Sequence, residues 1–361
     1  MADQVKNQVK VERYTRTSRV ALPVAVLVVI VAATVPAWGS SAVMKQSVTL
    51  LTLIALSQMW NLLAGYAGLV SVGQQAFVGI GAYSLWVFAE KFHINPFVCV
   101  IFAGLVAAIL AVPTAALAFR LRGGYFAVGT WVIAEVYRLL VTEISWLGGG
   151  SGVSINSVGD YARHTRESIT FWLALGVAVG SIALVYLLLR SRRGLALTAI
   201  RDNDTGARGL GVNITRSKLW VYIIAAAGTG VTGAVIYINL LRLQPEAGFS
   251  LQWSALMIFS VVIGGLGTIE GPIIGAVIFF VLQEVLAAYG SWYLILIGAL
   301  AAGVVVFAQR GLWGTVVRKK AVDLFPIRRR LCLETVCFTE EAPRQSGEQT
   351  GGPPEGGPPS A

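Results

Sequence analysis

An all-α, polytopic transmembrane helical bundle is the fold class that this sequence predicts, and three observations carry the prediction. Only 13% of the 361 residues are charged, about half the share of an ordinary soluble domain. The 56% that are hydrophobic collect in runs of about twenty, the length that crosses a bilayer as a helix. Those runs are too long for barrel strands, which need roughly ten residues and alternate apolar with polar.

Residues 1–19 are polar and basic, with Lys6, Lys10, Arg13, Arg16 and Arg19. The apolar run from Val20 to about Trp38 follows and is read as a retained first span, because it is long enough to cross by itself. A cleavable signal is the alternative, permitted by the charged start and the small residues Gly39-Ser40-Ser41-Ala42. Further runs occupy about 46–65, 68–89, 97–119, 125–142, 170–189, 218–241, 252–268, 272–289 and 291–308, giving about ten spans. Gly, Pro and charge mark the breaks between them, as at Gly65 to Gly68, Glu90 to Pro96 and Gly267 to Pro272.

Charge placement gives the topology. With the amino terminus inside, 22 of the 28 Lys and Arg fall on the inner side: residues 1–19, Arg120 and Arg122, the segment 190–218, and everything from Arg310 onward. Such a bias predicts that both termini are cytoplasmic. It also accounts for the net charge of +10 without a continuous basic groove for nucleic acid. The chain then divides into a basic cytoplasmic segment, 1–19, a transmembrane domain, 20–315, and a cytoplasmic tail, 316–361. The tail is expected to be disordered, since it ends in a near-duplicated Gly-Gly-Pro-Pro unit. Its Arg328-Arg329-Arg330 cluster suits anionic lipid.

No catalytic constellation is visible: there is no P-loop, no dinucleotide fingerprint and no Ser-His-Asp set. Three cysteines and two histidines do not assemble a disulfide framework or a zinc site. Chemistry is therefore sought in polar residues inside spans and in one large inner loop, 190–218. There Leu195, Ala199, Ile200, Ala207 and Leu210 recur at helical spacing, which predicts one or two short amphipathic helices. Asp202 or Asp204 is the expected cap of the second helix, and Gly211 the expected stop.

Inside the spans, Gly65, Gly68, Gly73, Gly79 and Gly81 surround Gln74 and Gln75. Small residues permit close crossing, and Gly73, Gly79 and Gly81 are also where the span could break and expose backbone to a pathway. Glu135 and Arg138 are three apart on one helix, so they pair along one face, either as a packing pair or as a substrate contact. Asn61, Gln74, Gln75, Glu135 and Arg138 form the candidate substrate path. Glu284 has no partner in the local sequence, and Glu270 is explained by a cytoplasmic turn. Trp38, Trp146, Trp172, Trp253, Trp292 and Trp313 fall at span ends, as an interfacial belt would place them.

At the inner loop the sequence resembles a known family. The run Gly194-Leu-Ala-Leu-Thr-Ala-Ile-Arg-Asp-Asn-Asp204 with Gly211-Val-Asn-Ile-Thr-Arg-Ser-Lys218 resembles the coupling loop of ABC importer permeases for branched-chain amino acids, LivM type. Asn61-Leu-Leu-Ala-Gly-Tyr-Ala-Gly to Tyr83, Leu121-Arg-Gly-Gly-Tyr-Phe-Ala-Val128 with Glu135-Val-Tyr-Arg138, Gly148-Gly-Gly-Ser-Gly152, Gly264-Gly-Leu-Gly-Thr-Ile-Glu-Gly-Pro272 to Gly275, and Arg310-Gly-Leu-Trp-Gly314 resemble family blocks in the same order. The resemblance covers roughly residues 45–315.

It implies a plasma-membrane permease subunit that works with a second, homologous permease, two cytoplasmic ATPases and an extracytoplasmic binding protein. No cofactor is implied in this chain, which would not be an enzyme; ATP and Mg would be used by the partner ATPases. The implied coupling loop contains Gly194, Ala199, Ile200, Asp204, Gly206, Ala207, Arg208, Gly209, Leu210 and Gly211. The sequence departs from the usual Ala-rich, Glu-containing form in carrying two glycines and Arg208, where an acid is common. The rival expectation is a secondary transporter or channel acting alone on a small polar solute such as another amino acid, an amide or urea. That rival calls for coupled intramembrane acids or an ion site and has no need of the 190–218 loop. A membrane enzyme is disfavoured by the lack of an acidic or His/Cys pair at a span end.

Overall fold

Apolar runs become helices here because a backbone in hydrocarbon must satisfy its own hydrogen bonds. The computed structural model describes residues 10–12, 16–286, 295, 298–299, 302–303, 311–320, 330–333 and 336–338. It divides into two units, 1–15 with 328–361, and 16–327.

In the first unit the strand Arg330–Leu333 pairs antiparallel with Lys10–Glu12 on one side and Val336–Phe338 on the other. The Leu, Val and Phe of 330–333 and 336–338 favour extended backbone. The Gly-Gly-Pro-Pro segment lies outside the described residues.

The second unit holds the membrane helices. α1 (Arg16–Ala33) and α2 (Val35–Trp38) replace the expected first span, with Pro36 seated at the start of α2. α3 (Ser41–Asn61) is capped by Ser40, whose hydroxyl accepts from the Val43 amide, and it runs into a π-helical turn, Leu62–Tyr66. Residues 68–74 are not helical. α4 (Gln75–Trp86) and a second π turn, Val87–Lys91, follow. The expected span 68–89 is thus a half-length helix behind an irregular segment, and Gly79 and Gly81 lie inside α4 instead of breaking it.

α5 (Pro96–Ala118) and α6 (Gly124–Glu143) come next, then a loop holding β1 (Val153–Ser154). After α7 (Arg163–Arg190) come the short α8 (Arg192–Asp202) and α9 (Asp204–Gly209), then α10 (Ile214–Leu240). β2 (Arg242–Leu243) pairs antiparallel with β1. α11 (Pro245–Gly248), α12 (Leu251–Gly264), α13 (Glu270–Leu286) and α14 (Gly311–Lys320) complete the described residues.

Among the described residues, six helical stretches are long and apolar enough to cross a membrane: Ser41–Tyr66, Pro96–Ala118, Gly124–Glu143, Arg163–Arg190, Ile214–Leu240 and Pro245–Gly264. With them the chain is a polytopic helical membrane protein. The run expected at 291–308 lies largely outside the described residues.

The core sits around α4, every residue of which is buried. α10 crosses it so closely that a Cβ at Gly81 would collide with the Gly230 carbonyl, the contact that small residues make possible between apolar helices. Packed against both α4 and α10, α5 carries fully buried Ala103, Ala107, Ala111 and Ala115, which repeat every four residues and form one ridge. α6 contrasts with both: only Phe126, Thr130 and Ala134 are buried along it. Among the described tryptophans, Trp38, Trp146 and Trp172 are exposed, and the Trp172 indole donates to the Ala33 carbonyl at 3.2 Å.

Glu284 is not alone: the Gln46 amide donates to it at 2.8 Å, tying α13 to α3. Glu270 opens α13 and is buried.

The crossing predicts an asymmetric response to alanine. Gly81→Ala should cost about 1–3 kcal/mol through overpacking, read as a lower thermal midpoint in detergent. Gly176→Ala, in α7 with open space around it, should leave the midpoint unchanged or slightly raised.

Candidate functional site

A span that stops halfway leaves backbone groups to be satisfied by other parts of the chain, and residues 62–74 show how this is done. Past the π turn, the Leu69 amide donates to the Leu63 carbonyl at 3.0 Å. The Trp60 indole donates to the Ser71 carbonyl at 2.8 Å, and the Val72 amide to the Thr130 hydroxyl of α6 at 3.2 Å. The Gly73 amide reaches the Ser71 hydroxyl at 3.3 Å, and the Gln75 amide reaches the Ser254 hydroxyl of α12 at 3.2 Å. Four neighbouring side chains thus replace the helical ladder. Gly73 lies against the Thr130 backbone with no room for a Cβ.

Asn61, Gln74 and Gln75 are all buried within the chain. Asn61 joins two segments: its amide donates to the Thr268 carbonyl at 2.8 Å and its carbonyl accepts from the Gly267 amide at 2.9 Å. That bridge holds the end of α3 to the turn between α12 and α13, where Gly267 has φ +76°. The Gln74 carbonyl accepts from the Thr229 hydroxyl of α10 at 3.3 Å, while its amide nitrogen has no partner among the described residues. Gln75 accepts a short bond from the Ser254 hydroxyl.

Glu135 and Arg138 do pair, with Arg138 Nε 2.8 Å from Glu135 Oε1. They are not buried inside the bundle: their side chains are 44% and 24% exposed. They line an open cavity of about 440 Å³ together with Trp131, Glu246, Phe249, Ser250 and Leu251.

The loop 190–218 forms two helices, as its spacing predicts. Asn203, not Asp202 or Asp204, caps the second: its side chain accepts from the Gly206 amide at 3.0 Å, while Asp204 pairs with Lys218 at 3.0 Å. Gly211 follows with φ +80°, the left-handed stop expected of it. Ile200 and Ala207 are buried with Ile214 on the underside. Gly194 is buried at the start of α8, against the Leu189 backbone, and Ala199 is half-buried beside Ile200. On the outward side Arg208 is exposed, Leu210 is 80% exposed and Gly209 has open space around it. Gly206 is exposed beside its Asn203 cap. The small residues expected to face a partner are therefore split, with Ala207 turned inward.

Arg201, at the end of α8, was not singled out by the sequence. It donates to the Gly65 carbonyl at 3.0 Å, the last turn of the interrupted span. Its guanidinium also lies beside Gly267. The loop, the π turn and the Asn61 bridge therefore meet at one point.

A family profile described as branched-chain amino acid transport system / permease component matches residues 46–308. The chain belongs to this family. Among curated relatives it is 29% identical to the high-affinity branched-chain amino acid transport system permease protein LivM of Salmonella typhimurium and 28% identical to that of Escherichia coli. Each alignment covers 70% of this chain and 65% of the relative, so the chain spans less than two thirds of their length. It is also 28% identical to the ribose import permease protein RbsC of Bacillus subtilis, over 46% of this chain and 52% of that one. No solved structure matches. Membership and the apolar helices make this a multi-pass protein of the inner membrane.

The Arg201 bond is a charged hydrogen bond to the Gly65 carbonyl in the π turn, worth about 1.5–3 kcal/mol. Arg201→Ala should lower the thermal midpoint accordingly, with partial rescue by Arg201→Lys. Arg208→Ala, exposed and unbonded to the bundle, should leave it unchanged.

Proposed function

We propose that this chain is the membrane permease subunit of an ATP-driven importer for branched-chain or related hydrophobic amino acids. The observation that carries the reading is the α8–α9 pair, fastened beneath by Ile200, Ala207 and Ile214 and open above at Arg208, Gly209 and Leu210. A short helix pair with a fixed underside and an exposed apolar and cationic top suits docking into a cytoplasmic ATPase.

On this reading α8–α9 lies on the cytoplasmic side. A second, homologous permease completes the path, two ATPases use ATP and Mg, and an extracytoplasmic binding protein delivers substrate to the outer loops. Relatives named LivM and LivH are both permeases of branched-chain amino acid systems, which supports a two-permease core. Closure of the ATPases would push α8–α9, and Arg201 would pass that push to residues 62–74. Asn61, Gln74 and Gln75 then belong to the moving wall of the path and Glu135 and Arg138 to its polar surface.

Proteoliposomes holding the two permeases and the ATPases, with binding protein outside and ATP inside, should import leucine. Removal of ATP should abolish uptake. Leucine entry through the purified chain alone, without ATP, would instead identify a secondary transporter or channel. Arg208→Glu should weaken co-purification of the ATPases at least tenfold; unchanged co-purification and transport would remove α8–α9 from the docking surface.

A further inference from the structure

The cavity beside α6 has a chemistry that the transport reading does not by itself supply. A charge pair on a lipid-facing surface is expensive, so an exposed pair inside a span marks a water-filled or protein-lined space. α6 is the least buried of the six candidate spans, and Glu135 and Arg138 lie on its open side. Both bonds from Arg138 end on Glu135 Oε1, so the pair does not use Oε2. Glu246, exposed on α11, interacts electrostatically with Arg138 from across the cavity. The charged lining is then one cation between two carboxylates.

The rest of the lining is apolar and aromatic: Trp131, Phe249 and Leu251, with the Ser250 hydroxyl engaged in capping α12. At about 440 Å³ the space is within the roughly 300–1,000 Å³ of small-molecule sites. A simple anion would meet net negative charge here. A sugar or nucleoside would find few neutral hydrogen-bonding side chains. A zwitterion with an apolar side chain satisfies every group: its carboxylate shares the planar fork of Arg138, its ammonium meets Glu246 and Glu135, and its side chain lies on Trp131, Phe249 and Leu251.

We infer that this cavity is a recognition site for the zwitterionic head and apolar side chain of a free α-amino acid, with Arg138 and Glu246 as its carboxylate and ammonium contacts. The inference rests on the reading of the chain as an amino acid permease and locates recognition within it, separately from any binding protein. It also separates this chain from the ribose permease that it resembles over part of its length.

The test is ligand protection of an introduced thiol. Leu251→Cys, in the assembled permease and ATPase complex, is labelled with a sulfonate-bearing methanethiosulfonate and followed by mass spectrometry of the peptide that contains it. A ligand held at about twice its dissociation constant leaves a site empty a third of the time, so L-leucine should slow labelling roughly threefold. Leucinamide, which lacks the carboxylate, 4-methylpentanoate, which lacks the ammonium, and ribose should not. Arg138→Gln should abolish protection by leucine, and Arg138→Lys should keep part of it. Ser250→Cys serves as the second probe if Leu251→Cys does not assemble.

Equal protection by all four compounds, or none by leucine, overturns the inference. The same preparations are assayed for ATP-driven uptake. Uptake of leucine without protection sinks this site alone, whereas absence of leucine uptake by the unmodified complex sinks the transport reading and this inference with it.

Discussion

The interruption of the span at residues 62–74 is the constraint on which the rest of this structure depends. Backbone polar groups cannot be left open in hydrocarbon, where each costs several kcal/mol. Every helix that surrounds the break contributes accordingly: Trp60 from α3, Thr130 from α6, Thr229 from α10 and Ser254 from α12. Those polar residues stand in otherwise apolar runs. The positions of Trp60, Thr130 and Ser254 make sense only once the break is seen, because each faces a backbone group of the broken segment, while Thr229 holds the Gln74 side chain. The fully buried α4 is the product of this arrangement, a half-length helix that neighbours must enclose on all sides.

Two side chains join this interior to the loop side of the bundle. Asn61 fixes the end of α3 to the turn at Gly267 and Thr268, and Arg201 fixes α8 to the same end at Gly65. Gly65 and Gly267 are so close that a Cβ on Gly65 would overlap the Gly267 backbone. Packed elements of this kind shift as units, since close-packed interiors transmit strain. A force applied to α8–α9 therefore has a short, rigid route to the broken span, a route made of one guanidinium and one carbonyl.

Much of this was legible in the sequence. Apolar runs of about twenty residues announced helices, the spacing of Ile200 and Ala207 announced an amphipathic pair, and the i, i+3 spacing of Glu135 and Arg138 announced an ion pair. The glycines around Gln74 announced a special segment but not where it broke. Gly73 stands at the break because Thr130 fills its Cβ space, whereas Gly81 is helical because α10 does; local sequence reads the same in both cases. Asn203 outcompeted its acidic neighbours as a cap because Asp204 was already held by Lys218. Arg201 and Glu246 were invisible because their partners lie more than a hundred residues away, at Gly65 and Arg138. Distance in sequence also hid the exposure of the Glu135–Arg138 pair, which depends on how little of α6 the other helices cover.

The central claim is that the α8–α9 pair and the interrupted span respond as one body. Peptide-resolved hydrogen exchange on the assembled importer, compared with and without bound nucleotide, tests it most directly. The account predicts that exchange at residues 62–68 and 265–269 changes together with exchange at 192–210, and that Arg201→Ala separates the two responses. A nucleotide response confined to 192–210 in the unmodified complex, with 62–68 unaltered, would contradict it.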